Sequence, residues 1–186
     1  EPDCGTVTLG GRDIRGYDFL TYRSCFSYLP QNAPAFEGTV REVLEYSSEA
    51  PHSDGELRAA LKRACVLDDI EALGGLDYQV GYNGEKLSGG QRQKLGIARL
   101  LLSDADYVLL DEVTSALDAE STKAVSAELD RFAEGKTTVI VSHDMETVEN
   151  ADSILVFDQG RLVAQGTHKE LARGCDLYKT LVKEAK

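Results

Sequence analysis

Two adjacent carboxylates, Asp111 and Glu112, directly follow the apolar run Tyr107-Val108-Leu109-Leu110. Such a run suits a short buried strand, and two acids at its C-terminal end are costly unless they hold a metal or a reacting water. Upstream, Ser88-Gly89-Gly90 opens a segment in which Leu95, Ala98 and Leu102 recur at helical spacing. Three small residues therefore sit where the N–H groups of a helix start are unpaired. Glycine lets backbone approach an oxygen closely, the serine hydroxyl adds a donor, and the helix dipole favours negative charge. Phosphate is the natural guest of such a site.

Other elements bring further polar groups to strand ends. Cys25 to Leu29 reads as a strand that Pro30 stops, which leaves Gln31 at its end. Thr137 to Val141 is β-branched and delivers Ser142-His143-Asp144 in the same way. Alone, Gln31 would pass for a turn residue and His143 for a structural histidine. Together with Asp111 and Glu112 they converge where parallel α/β sheets gather their ligands. Capping of the next helix by the acid pair fits poorly with the apolar strand before it.

Around these elements, Thr6 to Leu9 with Gly10-Gly11 reads as an edge strand and turn. Thr39 and Glu42 form a capping-box pattern, and two helices joined by a polar loop are expected from there to about Val66, interrupted at Pro51 and Gly55. Gly74-Gly75 and Gly81 to Gly84 read as loops, and a helix is expected over Ala119 to Phe132. A hairpin is expected around Asp158 to Arg161, and a final helical region opens with the box Thr167 to Glu170. His52 and His168 fall in loop or helix-start settings and read as solvated surface.

The set Leu87-Ser88-Gly89-Gly90-Gln91, then Asp111-Glu112, Ser115-Ala116-Leu117-Asp118 and His143 resembles the nucleotide-binding domain of ABC transporters over nearly the whole chain. The resemblance implies an α/β fold: a P-loop NTPase-type, largely parallel sheet with helices on both faces, plus a helical subdomain over 33–102 that ends in the signature helix. Residues 1–32 and 103–186 would belong to the catalytic core of one ABC ATPase domain. ATP and Mg²⁺ are the implied cofactors. Asp111 would serve Mg²⁺, and Glu112 would orient or deprotonate the attacking water. Gln31, in a segment similar to the family's Q-loop, would contact metal or water and link the site to the transmembrane partner. His143 looks like the switch histidine that contacts the γ-phosphate. Ser88, Gly89, Gly90 and Gln91 would reach a nucleotide held by a second such domain, with Ser115 to Asp118 crossing that interface. The partners implied are thus a second nucleotide-binding domain and a transmembrane domain, at the cytoplasmic side of the cell membrane. Tyr28-Leu29-Pro30-Gln31, Phe36 to Glu42 and the ending Gly166-Thr167-His168…Leu177-Tyr178 are exporter-like, whereas Tyr82 stands where exporters often carry an acid.

One part of the family pattern is missing. Gly135-Lys136-Thr137 offers only the tail of the phosphate loop G-x-x-x-x-G-K-[ST], since the first glycine position is Asp130 and the helix-to-strand order is reversed. The expectation is a stretch beginning inside the domain, downstream of the loop, inactive alone and carrying an open seam in its sheet. Two alternatives remain: a non-catalytic module that lends the signature to an intact subunit, and a soluble ABC ATPase outside transport.

Composition bounds these readings. With 186 residues, 42% hydrophobic, the chain can build a real core. A formal net charge of -12 argues against a nucleic-acid partner, whose phosphates it would repel. No apolar run approaches the roughly 18 residues of a membrane span. Cys4, Cys25, Cys65 and Cys175 lack CxxC or metal-like spacing and read as free thiols of a reducing compartment.

Overall fold

The chain enters through β1 (Thr8–Leu9) and β2 (Arg12–Asp13), an antiparallel pair turned at Gly10-Gly11. The computed structural model describes residues 2–46, 48 and 50–184. It forms two compact units, Glu1–Ile140 and Val141–Lys186, each taken by itself below.

In the first unit, helix α1 (Phe19–Ser24) is capped by Asp18, whose carboxylate accepts the Thr21 amide. The hydrophobic pattern does not announce this helix, because Phe19 and Leu20 are exposed and no apolar stripe forms. Strand β3 (Phe26–Leu29) ends at Pro30 as expected. Helix α2 (Val40–Glu45) starts at the Thr39–Glu42 capping box, and α3 (Asp54–Arg63) at a second box, Ser53–Glu56. Positions 47 and 49 of the expected polar loop lie outside the described residues.

An additional helix, α4 (Leu67–Leu73), follows where no start was read. Its N-cap is Val66, which offers no side-chain acceptor, and the break from α3 is made by Cys65 at φ 56. Neither feature is a sequence signal of the usual kind. Helix α5 (Gly89–Leu101) buries Leu95, Ile97, Ala98 and Leu100 in the main core beside Leu57 and Leu61 of α3 and Val43 and Leu44 of α2.

Strand β4 (Tyr107–Asp111) pairs parallel with β3, with Phe26 opposite Tyr107 and Leu29 opposite Leu110. Helix α6 (Ala119–Ala133) is capped by Asp118, so the acid pair at 111–112 is not its cap. Strand β5 (Thr137–Val141) completes a three-stranded sheet of order β3-β4-β5, where the Thr137 amide donates to the Asp106 carbonyl at 3.0 Å. The P-loop-like tripeptide lies in the α6–β5 turn, where Lys136 Nζ donates to the Ala105 carbonyl at 2.7 Å and lies over the Phe132 ring.

The second unit holds α7 (Met145–Glu149), the hairpin β6 (Ile154–Asp158) and β7 (Arg161–Gly166), α8 (His168–Gly174) and α9 (Asp176–Glu184). The hairpin turns through Gln159 and Gly160 at φ 45 and 76, the doubly positive pair that matches strand twist. Ile154, Val156, Leu171 and Tyr178 form its core. His168 is not solvated surface, contrary to the sequence reading: its Nδ1 lies 2.8 Å from the Tyr178 hydroxyl, and the two rings meet edge to face. The reason is the burial of Tyr178, 2% exposed, whose hydroxyl needs a polar partner. His52 likewise departs from that reading, with a buried Nδ1 and a backbone amide that donates to Glu45 at 2.9 Å.

Candidate functional site

The register of β3 against β4 builds the centre of the site. Leu29 faces Leu110, so one step on Pro30 accompanies Asp111, and the next step sets Gln31 beside Glu112. Gln31 Nε2 donates to Glu112 Oε2 at 2.8 Å. Asp111 and Glu112 are both half-buried. Glu112 sits at φ 48, in the left-handed region that side chains larger than Asn or Asp seldom occupy. Its carbonyl accepts the Ser115 amide at 3.2 Å and the Ser115 hydroxyl at 2.9 Å, which tightens the turn after β4. A glutamate held in a sparsely populated backbone conformation at a strand end is the kind of strain found where a side chain must be aimed.

The second cluster is the start of α5. Ser88 Oγ accepts the Gln91 amide at 3.1 Å, and Gln91 Oε1 accepts the Ser88 amide at 2.9 Å, a complete capping box. Gln91 is thus committed to the cap, a role that the S-x-x-Q spacing could have announced. The Ser88 hydroxyl uses a lone pair here and keeps its proton for another acceptor. The Gly89 and Gly90 amides lie in the first turn, where no intrahelical carbonyl is available to them. A side-chain carbon on Gly90 would meet the Ala116 carbonyl at 3.5 Å, so the Ser115–Asp118 segment runs alongside this helix start.

Asp118 accepts the Ser121 amide at 2.9 Å and lies 3.6 Å from Lys94 Nζ of α5. Hydrogen bonds from Ser121, helped by Lys94, hold its carboxyl at about 2, below the ordinary 3.8. His143 follows β5 in the second unit, on an exposed position ahead of α7, whose N-cap is Asp144.

Glycine and alanine make the close approach between α5 and the chain after β3 possible. A side-chain carbon on Gly96 would fall 2.6 Å from Ala33 Cβ and 3.0 Å from Leu29 Cδ1, and one on Gly84 2.6 Å from Ala35 Cβ. Gln93, one turn before Gly96, is 3% exposed and hydrogen-bonded at both ends of its amide. The sequence reading passed over it. Its signal was positional: Gln93, Gly96 and Leu100 recur at helical spacing on the face that packs inward.

A family model described as ABC transporter matches residues 1–115. The chain belongs to the ABC transporter family. An ATP-dependent lipid A-core flippase of Vibrio parahaemolyticus is 42% identical over 170 residues, 91% of this chain and 29% of that protein. The ABC multidrug transporter mdr1 of Aspergillus fumigatus is 44% identical over 181 residues, 96% of this chain and 13% of that protein. The solved structure of a bacterial Atm1-family ABC exporter with ATP bound superposes with a TM-score of 0.92 at 34% identity, covering all of this chain and 33% of that one. The chain therefore spans about a third or less of the length of these relatives, and its α/β fold is that of an ABC ATPase domain.

The donors fit the divalent ion that nucleotide chemistry implies. Asp111, Glu112 and Gln31 offer hard oxygens at one sheet end. Among the described residues no group of three or more His, Cys, Asp or Glu forms a cage. That donor set suits Mg²⁺, which takes one or two carboxylates and leaves its other positions to phosphate and water.

Proposed function

We propose that the intact protein of which this chain forms part hydrolyses ATP and couples hydrolysis to transport across a membrane. The observation that carries this reading is the 2.8 Å hydrogen bond from Gln31 to Glu112, set at the C-terminal end of a parallel strand pair beside Asp111. Glu112 is the general base that takes a proton from the attacking water, and Gln31 orients its carboxylate. Asp111 is the ligand for Mg²⁺, which when bound neutralises charge on the β and γ phosphates. His143 contacts the γ-phosphate.

Ser88, Gly89 and Gly90 donate to a nucleotide held by a second ABC ATPase domain, Gln91 fixes the cap that aims them, and Asp118 lies at the shared interface. The fold resembles an exporter's, which supports a transmembrane partner and a place on the cytoplasmic side of the membrane. No helix among the described residues is long and apolar enough to cross a membrane. Residues 33–102 form the helical subdomain, and 1–32 with 103–186 are parts of the catalytic core.

The test is Glu112→Gln in the intact protein. Phosphate release should fall by about 10² to 10⁴-fold while ATP binding is kept, because glutamine preserves size and one acceptor but takes no proton. With ATP bound and unconsumed, size-exclusion chromatography should show the paired form of the domains only with Mg-ATP present. Normal turnover would remove Glu112 from this role.

A further inference from the structure

Gln93 is a buried neutral amide with both ends engaged. Its Oε1 accepts the Ala33 amide at 3.2 Å, and its Nε2 donates to the Val113 carbonyl at 3.0 Å. The two partners fix which end is which, since an N–H needs the oxygen and a carbonyl needs the NH₂. Ala33 lies two residues after Gln31, and Val113 is the residue after Glu112. A single side chain of α5 thus bridges the two loops whose side chains meet at 2.8 Å.

We propose that Gln93 is a positioning residue for ATP hydrolysis, clamping the loop of Gln31 to the loop of Glu112 so that the pair keeps its geometry. The inference rests on the reading of Glu112 as general base. Three features make the clamp effective. Gln93 is 3% exposed, so water does not stand in for either bond. Gly96, one turn along α5, lets Ala33 and Leu29 press against the same helix and sets the depth at which the Ala33 amide sits. Glu112 holds an unfavourable φ of 48, a conformation that persists only where neighbours over-determine it, and the bond to the next carbonyl is one such restraint.

The bridge also joins the two clusters. Ser88 and Gly90 lie at the start of the helix that carries Gln93, and Lys94, the next residue, lies 3.6 Å from Asp118. The signature helix therefore grips the loop after β3, the loop after β4 and the cap of α6 through consecutive residues.

The experiment uses the intact protein with Gln93→Met, which keeps length and volume and removes both bonds, and Gln93→Asn, which keeps an amide one methylene short. The expected result for Gln93→Met is a kcat lower by about 10- to 100-fold with KM for ATP within about 2-fold, because a misplacement of about 1 Å costs rate before it costs binding. Gln93→Asn should fall between it and the unaltered protein. In a Glu112→Gln background, Gln93→Met should lower the residual turnover no further, whereas a general loss of integrity would lower it again. An unchanged kcat in Gln93→Met overturns the proposal, as does a parallel rise in KM, a further fall in the double variant, or loss of folding in both single variants. If Glu112→Gln itself turns over normally, the reading of Glu112 fails first. If Glu112→Gln is inactive and Gln93→Met is not affected, that reading stands and the clamp alone is wrong.

Discussion

Gln31 Nε2 donates to Glu112 Oε2 at 2.8 Å across 81 positions of sequence, and strand register brings the two residues to the same level. Because Leu29 faces Leu110, each strand releases its polar residue at the same height. Replacing Gln31 by Glu sets carboxylate against carboxylate at that distance. Turnover of the intact protein should fall by about 10-fold or more, in the range of one oriented acid–base contact. A phosphate-release assay of the variant beside the unaltered protein checks this, and unchanged turnover would count against the contact.

Gly96 predicts a stability effect opposite to helix propensity. In an exposed helix Gly to Ala gains about 1 kcal/mol. Here the added carbon would lie 2.6 Å from Ala33 Cβ and 3.0 Å from Leu29 Cδ1. Overpacking of this kind costs about 1–3 kcal/mol, so Gly96→Ala should lower the melting temperature of the chain. Adding Ala33→Gly removes the atom of closest contact and should restore part of the loss. Thermal melts of the single and double variants decide it.

What the sequence announced depended on whether a physical signal is local. Strand ends, capping boxes at Thr39 and Thr167, the 158–161 turn and the acid pair all carry their signal within a few residues, and each lies where it was read. Helix α4 was missed because Val66 gives no cap and Cys65 breaks the chain at positive φ without being glycine. His168 was misread because its partner, Tyr178, is set by the packing of α8 on α9 and not by neighbouring sequence. Gln93 escaped notice for the same reason, since both of its partners come from other elements. The acidic and signature residues were legible individually, but the register that pairs Gln31 with Glu112 is a tertiary fact.

The pairing of His168 with Tyr178 can be tested on its own. Tyr178→Phe keeps the ring in the core of the second unit and deletes the hydroxyl that lies 2.8 Å from His168 Nδ1. One buried hydrogen bond is worth about 0.5–1.5 kcal/mol, and a stranded imidazole nitrogen raises the cost toward the upper figure. Amide exchange in α8 and α9 should accelerate in the variant, while exchange in β4 stays as it was. Unchanged protection in α8 and α9 would show the bond to be of no consequence there.

Residues 1–186 studied alone should bind Mg-ATP weakly. The sequence has no G-x-x-x-x-G-K-[ST], and the single Gly-Lys-Thr has its lysine donating to the Ala105 carbonyl at 2.7 Å. Backbone amides and a lysine at such a loop make most of the contacts to β and γ phosphates. Calorimetric titration of the chain should show no saturable heat at micromolar nucleotide. A micromolar affinity would mean that other residues of this chain cradle the phosphates.

Asp118 supplies a pH dependence whose sign follows from its depressed pKa. Its carboxyl is held at about 2 by the Ser121 hydrogen bonds and the nearby Lys94, against an ordinary 3.8. A group whose folded pKa is lowered contributes stability that is present above its unfolded value and is lost as pH falls through the folded one. The contribution is therefore full above about pH 4 and decays toward pH 2. Asp118→Asn keeps a good N-cap, since an asparagine oxygen also accepts the Ser121 amide, but it removes the charge that favours the α6 N-terminus. At neutral pH the variant should melt below the unaltered chain. The gap should narrow between about pH 4 and pH 2 and close once the aspartate is protonated in both states. Melting curves of the two chains across that range check it, and a gap that stays constant down to pH 2 would show that the charge of Asp118 contributes nothing to the cap.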